Sequence, residues 1–515
     1  MRYRQQALVV ACLTIALVVF SQLKLGKVQH RVHQHKSATV TESDNKEPVE
    51  CITPTPESKV QYDAQAVETS KLETHLPIVV IDTDENIPGD PCYDEGNFHR
   101  MYTMAENGDE DTWGSMKIIH NQKTSNMVKD VPALLSNIKI RIRGNTSRWF
   151  DKKSYAVQLV DSQGNKEDKK VLGMEANHSW ALHGPFLDKT LMRNYMALNI
   201  SGEIMDFAPD VRYCEVIING EYQGLYVLME TVNRGNGRID IEKPNTTKNV
   251  TGYIIELDNN TKIPVTSPNN FTKYTGVLRK QAYFDITYPN ETALTPEIKN
   301  YITRDISKYE KALYSYDYDS SKYGFQTFMD VEEFADYFIL AEVFLQHDTG
   351  NLSTYFYKDV NGLFKPCVWD FNNSLENISA AGMDDFQVRQ FVTVQSPWFW
   401  MLIKEETFID TTISRYRELR KGILSDAELI QYINDTKNYM GSAVERNYAV
   451  WGYSFDVDNV DVRNKLHPSE RNPENYDESI IQMQTCLLDR LHWLDEHIEV
   501  LKQYSHESAI KKFNH

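Results

Sequence analysis

The chain has 515 residues, of which 41% are hydrophobic and 25% are charged, with 23 glycines and 18 prolines. These fractions are typical of a folded globular protein, and they exclude collagen-like chains and wholesale disorder. The 55 basic and 73 acidic side chains give a formal net charge of −18. Such an acidic field argues against nucleic acid as a main partner, although it leaves room for a local basic pocket.

The N-terminus has the pattern of an export segment. Within residues 1–27, two arginines precede an apolar run at 7–20 and two lysines follow it. This pattern fits a signal peptide or an uncleaved membrane anchor. No small-x-small cleavage site follows the run, which favours the anchor. Either form predicts an extracytoplasmic protein, secreted or held at the membrane by this segment.

Residues 28–75 are polar and contain few large apolar side chains. A segment of this composition cannot bury enough surface to offset its chain entropy, so we expect a flexible linker. Three histidines in it (His30, His33 and His35) are expected to be solvated. The folded part is then predicted to comprise a β-rich lead-in segment at 76–130 and a main domain at 131–505.

The order of predicted elements indicates an α+β protein. Residues 138–143 alternate with apolar side chains at the even positions, which is typical of a strand with one buried face. A turn at Gly144 leads into a return strand at 154–160, so the two predict a hairpin. Other strands are predicted at 76–83, 211–218, 223–230 and 252–257. From about residue 295 the apolar spacing becomes helical, giving a β-rich half followed by a helical half.

The hairpin loop at 141–155 carries five cationic side chains in an acidic protein. Together with its turn backbone and hydroxyl groups, the loop could cradle phosphate oxygens. The alternative is an ordinary basic hairpin whose cations pair with surface carboxylates. No Walker A motif or G-x-G-x-x-G loop accompanies it, which excludes an ordinary P-loop protein.

A second group of polar residues contains two aspartates. Asp348 follows the strongest predicted helix, and Asp370 closes the return strand of the next predicted hairpin. This arrangement would bring two carboxylates together, and such hard oxygen ligands suit Mg²⁺ or Mn²⁺ bridging phosphates. The alternative is a hairpin with ordinary turn acids. Because both aspartates adjoin apolar residues, and buried carboxylates need partners, the functional interpretation is favoured.

Several motifs resemble those of one known family. They are Ile-Arg-Ile-Arg-Gly-Asn-Thr-Ser (140–147), Lys-Lys-Ser-Tyr (152–155), Asp-Lys-Thr-Leu-Met-Arg-Asn (188–194) and Val-Trp-Asp-Phe-Asn (368–372). In this order, and over roughly residues 76–400, the chain resembles the CotH (spore coat protein H) kinase-like family. The resemblance implies an atypical, reduced protein-kinase-like fold that lacks the glycine-rich loop.

The resemblance also implies an activity and a set of site residues. It implies transfer of phosphate from ATP, with Mg²⁺ or Mn²⁺, to Ser/Thr-rich exported proteins. By position, Asp348 and Asp370 match the catalytic residues, and Asp370 is also the metal ligand. The nucleotide-binding residues are expected to be Arg143, Asn145, Ser147, Lys153 and Glu230. Asn351 and Asn372 are expected as further metal ligands.

The chain departs from the family pattern at two places. Asn372 stands where many members have a second aspartate, and Glu376-Asn377 replaces Gly-Asn. An asparagine ligates Mg²⁺ without charge, so metal affinity is expected to be lower; Glu376 and Asp384 are the alternative metal ligands.

Two function classes stay open. The retained aspartates favour a kinase, whereas the scarcity of ATP outside cells favours a non-catalytic surface scaffold or adhesin.

Overall fold

A computed structural model describes residues 67–93, 100–121, 124–258, 263–265, 283–350, 352–378, 388–394, 396 and 398–507. The predicted export segment and most of the predicted linker lie outside these residues. Among the helices that the structure describes, none is long and apolar enough to cross a membrane.

The strands, in chain order, follow the pattern expected from alternation and turn residues. They are β1 (Glu73–Thr74), β2 (Ile78–Thr83), β3 (Pro91–Tyr93), β4 (Arg100–Tyr102), β5 (Thr112–Ile119), β6 (Asn126–Met127), β7 (Leu134–Arg143), β8 (Ser154–Val160), β9 (Lys169–Val171), β10 (Met174–Asn177), β11 (Ser179–His183), β12 (Val211–Ile218), β13 (Glu221–Glu230), β14 (Tyr253–Asp258), β15 (Tyr283–Tyr288), β16 (Thr354–Lys358) and β17 (Lys365–Cys367).

The helices lie mainly in the second half of the chain. They are α1 (Arg193–Ile204), α2 (Pro296–Leu313), α3 (Val331–Val343), α4 (Phe399–Leu402), α5 (Glu406–Leu419), α6 (Asp426–Met440), α7 (Ala443–Trp451) and α8 (Tyr476–His497). Five of them begin at a capping side chain, because a backbone N–H of the first turn is accepted by Thr295, Asp330, Glu405, Ser425 and Asn475, respectively. Such caps satisfy donors that the helix itself cannot pair.

Seven strands close into a barrel with the order β11-β13-β12-β2-β5-β7-β8, and β8 pairs back to β11. All pairings are antiparallel except that of β12 with β2. The alternation in β7 sets its inner face, since Ile138, Ile140 and Ile142 are buried in the barrel core. The hairpin of β7 and β8 predicted from the sequence is present.

The folded part starts earlier than the sequence predicted. Within the stretch 28–75 expected as a linker, residues 69–71 form a 3-10 helix and β1 pairs with β6. Leu72 is buried, and this burial ties the segment to the barrel. The lead-in segment is not separate from the main domain either, because β2 and β5 are barrel strands.

A four-stranded antiparallel sheet, β15-β14-β16-β17, stands beside the barrel. Alternate residues of β14 (Tyr253, Ile255 and Leu257) face the large core that the helices build. Because strand side chains alternate, Glu256 and Asp258 point to the opposite face. The architecture is therefore mixed α+β, with a β-rich first half and a helical second half.

Helix α7 is joined to the barrel by a polar contact at a bulge. Gly224 has a φ of +100° at this bulge, and a Cβ there would lie 2.5 Å from Asn447 Oδ1. Asn447 Oδ1 accepts hydrogen bonds from the Leu225 N–H (3.1 Å) and from Lys152 Nζ (2.6 Å). Burial lowers the pKa of Lys152 well below its ordinary value. One amide oxygen thus satisfies two buried donors.

Replacing Asn447 should therefore weaken the whole fold. Asn447→Ala removes the acceptor of two buried donors, and we expect the free energy of unfolding to fall by about 2–4 kcal/mol. The measurement is urea unfolding. Asn438→Ala, in an exposed position of α6, is the matched control and should change the value by less than about 0.5 kcal/mol. Equal values for the two variants would contradict this role.

Candidate functional site

Four of the five cations of the β7–β8 loop have partners. Arg141 lies 3.8 Å from Glu110, and Lys153 Nζ lies 2.7 Å from Asp90 Oδ1 and donates to the Arg148 carbonyl. Arg148 donates to the carbonyls of Gly144 and Gly89. Lys152 is buried, as described above. These cations are held by the protein itself.

Arg143 differs from its neighbours in the loop. Its side chain forms no hydrogen bond or ion pair with any of the described residues, and its guanidinium lies over the Trp369 ring, 5.1 Å from the ring centre. Stacking on an aromatic face orients a guanidinium while leaving its N–H groups available. Burial raises the carboxyl pKa values of Asp370 and Glu256, and the charge of Arg143 opposes this rise at both. The Arg143 guanidinium is thus held near two carboxylates, and its N–H groups are not used by the described residues.

Asp370 lies in a backbone conformation that its surroundings enforce. Its φ and ψ are 59° and 64°, the left-handed region, directly before the 3-10 helix Phe371–Asn373. Gln346 donates to the Asp370 carbonyl, and the Phe371 N–H donates to Asn194 Oδ1 at 2.7 Å. These bonds fix the loop on both sides of the carboxylate. Left-handed aspartates held in this way are common at functional sites.

A buried ion pair supports the same loop from behind. Arg193 Nη1 lies 2.5 Å from Asp188 Oδ1, and both side chains are at least nine-tenths buried. Arg193 Nε also donates to the Ser374 carbonyl at 3.0 Å. Asn194, the next residue, contacts both Phe371 and Asn372. The motif at 188–194 therefore positions the loop that carries Asp370.

Asp348 is placed beside this loop. It follows α3, and its Oδ2 accepts a hydrogen bond from Asn373 Nδ2 at 3.3 Å. Its own N–H faces Gln346 Oε1 at 3.4 Å, so one glutamine contacts both aspartate segments. The structure thus brings the two predicted aspartates to neighbouring loops. The third predicted position, Asn351, lies outside the described residues.

The amide of Asn372 is engaged at both ends. Its Nδ2 donates to Asp370 Oδ1, and its Oδ1 accepts from Asn194 Nδ2. To ligate a metal through its oxygen, this amide would have to exchange the contact with Asn194. Its present role is to orient the Asp370 carboxylate.

Burial and a neighbouring acid raise the pKa of Asp370. Desolvation is the largest cause and Asp258 adds to it, while Arg143 and the hydrogen bond from Asn372 oppose it. A cation at this carboxylate would relieve the penalty of holding its charge. The donor set is a half-buried carboxylate beside a guanidinium that has no acid partner among the described residues, and it fits a metal-bound phosphate group.

The second face of the four-stranded sheet adds an acid that the sequence did not predict. Desolvation, the largest cause, raises the pKa of Glu256 to about 7, while a hydrogen bond with Tyr355 lowers it. Tyr355 in turn packs edge-on against Trp369, with ring centres 6.3 Å apart. Glu256 therefore lies near the Arg143–Trp369 stack.

The remaining residues that the sequence predicted to bind nucleotide are Glu230, Asn145 and Ser147. Glu230 is buried at the end of β13, where it accepts the Asp210 N–H and lies 3.6 Å from Arg238. Asn145 is exposed at the start of the 3-10 helix Thr146–Trp149. A Cβ at Gly144 would lie 1.9 Å from Ser147 Oγ, so this turn requires glycine. Their nucleotide-binding roles stay predictions.

Glu376, the first alternative metal ligand, forms a buried ion pair with Arg471 at 2.5 Å. This pair occupies one of its carboxylate oxygens and neutralises its charge. Asp384, the second alternative, lies outside the described residues.

Comparison with known proteins assigns the family. The model of the family described as CotH kinase protein matches residues 140–494, which is more than half of the chain and includes Arg143, Asp348 and Asp370. The chain belongs to the CotH kinase family. The resemblance expected from the sequence motifs is confirmed.

A curated relative shares part of this match. Inner spore coat protein H of Bacillus subtilis (strain 168) is 29% identical over 109 residues, which cover 20% of the chain and 28% of the relative. The chain therefore matches less than a third of that protein's length. Family membership supports kinase-like chemistry in general and leaves the substrate open.

Some residues around the CotH site carried a sequence signal and others did not. Arg193 and Asn194 belong to a motif that the sequence analysis quoted, but nothing in the motif showed that they hold the Asp370 loop. Glu256 sits in a strand whose apolar neighbours suggested only burial. Its position beside Arg143 depends on contacts between segments more than 100 residues apart.

The raised pKa of Glu256 predicts a pH-dependent stability. A carboxyl whose pKa is higher in the folded state binds more protons there, so stability is lost as pH rises from about 4.5 through 7. Glu256→Gln mimics the protonated form and should be more stable than wild type by about 2–3 kcal/mol at pH 8, with little difference at pH 4. Urea unfolding at both pH values measures this.

The matched control for this prediction is Glu221→Gln, at an exposed position of β13. It should leave the pH dependence as in wild type. If Glu256→Gln retained the wild-type dependence, the carboxyl would not be desolvated in the folded protein.

Proposed function

We propose that the protein is an exported or surface-held kinase that transfers phosphate from ATP to hydroxyl groups of extracytoplasmic proteins, with a divalent metal. The observation that carries the proposal is Arg143, a guanidinium stacked on Trp369, without a carboxylate partner among the described residues and beside Asp370. Stacking on the ring orients the guanidinium and leaves its N–H groups available to a ligand. Phosphate oxygens match its fork bidentately.

Each residue then has a role in phosphate transfer. Bound ATP with Mg²⁺ or Mn²⁺ would supply the phosphoryl group and neutralise its charge. Asp370 would hold the metal, because its position and orientation are fixed by Gln346, Asn194 and Asn372. Arg143 would bind phosphate oxygens from the barrel side. Asp348 would orient the acceptor hydroxyl and accept its proton, as a carboxylate on the neighbouring loop can.

Lys153 would be a secondary phosphate ligand. Its ammonium contacts Asp90 and the Arg148 carbonyl, so binding a nucleotide through it requires breaking an existing ion pair. Arg143 needs no such exchange. We therefore assign the larger share of phosphate binding to Arg143.

Family membership and the relative's name support the location. The curated relative is named as a spore coat protein, and the basic and apolar pattern at residues 1–27 is typical of an export segment or anchor. We propose that the acceptors are Ser/Thr-rich exported proteins. The competing function is a surface scaffold that retains the fold without turnover, and loss of catalysis with retained nucleotide binding would favour it.

The two aspartates should fail in different ways. Asp370→Asn should abolish both metal-dependent nucleotide binding and turnover, because it removes the metal ligand. Asp348→Asn should retain much of the nucleotide affinity while turnover falls by about 10²–10⁴-fold, since its interaction is made in the transition state. Thermal shift with and without Mn²⁺–ATP, together with labelled-phosphate transfer, compares wild type, both single variants and the double variant.

The melting temperatures without ligand decide whether these roles are structural. Both variants should melt near wild type, because each keeps its side-chain shape, and Asp370→Asn also removes a charge that burial disfavours. If both melted far below wild type, the aspartates would be structural and the site assignment would fail. Turnover that survives in Asp370→Asn would place the metal elsewhere.

Arg143 can be tested against a neighbour on the same strand. Arg143→Ala should weaken ATP binding by about 10- to 100-fold, the usual effect of losing hydrogen bonds to a charged group. Arg141→Ala, two residues away and facing Glu110, should change it by less than about twofold. Arg143→Lys should fall between them because a lysine cannot bind bidentately. Equal effects at 141 and 143 would show that only net charge matters.

A further inference from the structure

A second group of metal-ligating side chains lies far along the chain from the aspartate loops. Glu406 and Asp410 stand one turn apart at the start of α5, and His506 follows the 3-10 helix Ile498–Tyr504. One ligand atom from each lies within 4.8 Å of the others. It is the one such group of three that the described residues contain.

The spacing fits a small transition-metal ion. His506 Nε2 lies 3.5 Å from Glu406 Oε1 and 3.1 Å from Asp410 Oδ1. Zinc binds nitrogen and carboxylate oxygen at about 2.0–2.2 Å, so ligand atoms at the corners of a tetrahedron lie about 3.3–3.6 Å apart. The observed separations are close to that range.

The histidine ring is oriented for this role. Its other nitrogen, Nδ1, is hydrogen-bonded to the Ser505 hydroxyl at 2.8 Å, so Nε2 is the atom presented to the carboxylates. Metal-binding histidines usually have their second nitrogen held in this way. The supporting backbone is anchored, because Ile498 and Leu501 of the preceding 3-10 helix are buried.

The surrounding charges permit a dication. Lys502 Nζ is 4.0 Å from Asp410 but only 2.9 Å from Glu499, which pairs with it. Among the described residues, Glu406 contacts no lysine or arginine side chain, and its one such partner is the imidazole of His506. Two carboxylates and one neutral imidazole suit Zn²⁺ better than Mg²⁺ or Ca²⁺, which take oxygen ligands.

We propose that Glu406, Asp410 and His506 form a zinc site, with water as the fourth ligand, that fastens the C-terminal segment to the start of α5. The site is separate from the proposed kinase function and needs no nucleotide. Because metal binding to one state stabilises that state, Zn²⁺ should raise the melting temperature. Because imidazole binds metal only when deprotonated, the effect should weaken on acidification.

The experiment is calorimetric titration of the full-length chain with Zn²⁺, together with thermal unfolding. Histidines elsewhere, including His30, His33 and His35, give a background that every variant shares, so differences between variants carry the result. Wild type should bind one more equivalent of Zn²⁺ than His506→Ala, and should gain a melting-temperature shift on the order of 3 °C that the variant lacks. Asp410→Asn should weaken the same equivalent.

His492→Ala is the matched control, because His492 faces a single carboxylate, Asp426, at 2.8 Å. It should keep the wild-type zinc stoichiometry and shift. A His506→Ala variant with the same zinc stoichiometry and shift as wild type would overturn the proposal. The proposal would also be overturned if His506→Ala lowered the melting temperature measured without zinc but kept the wild-type response to zinc, since that result would indicate ion pairs alone. Asp370→Asn should retain the zinc equivalent, which separates this site from the kinase site.

Discussion

The buried pair of Arg193 with Asp188 is the interaction on which the candidate site depends. It lies at the junction of the barrel and α1, and it gives Arg193 the neutralising partner that a buried cation requires. The remaining donors of the guanidinium can then bind the carbonyls of Ser374 and Leu375. Removing one partner would leave the other charge unpaired, at a cost of about 3–5 kcal/mol. The pair thus fixes the backbone that follows Asp370.

The arginines around the site are held in two different ways. Behind the Asp370 loop, the charges of Arg193 and Arg471 are neutralised by acids within the protein. In front of the loop, Arg143 stacks on an aromatic ring and has no acid partner among the described residues, and burial raises the pKa values of Asp370 and Glu256. The charges behind the loop therefore stabilise the fold. The Arg143 guanidinium, oriented by the ring, keeps its N–H groups available to a ligand.

Much of this could be predicted from local sequence pattern. The alternation at 138–143 and the turn at Gly144 predicted the hairpin, since both signals act within a few residues. The position of Asp348 after a helix and of Asp370 after a strand predicted that they would be neighbours, and Asn373 joins their loops. These predictions needed only the chain direction of a few short helices and strands.

The partners of the loop cations could not be predicted in this way. Lys152 and Lys153 are adjacent and chemically identical, yet one is buried against Leu225 and Asn447 while the other faces Asp90. Which lysine is buried depends on where α7, almost 300 residues later, meets the barrel. The same holds for Arg143, whose guanidinium lies over the ring of Trp369, more than 200 residues later in the chain. A cation-rich loop in the sequence thus indicates capacity for anions, and only the packing around it decides which cation is left to bind one.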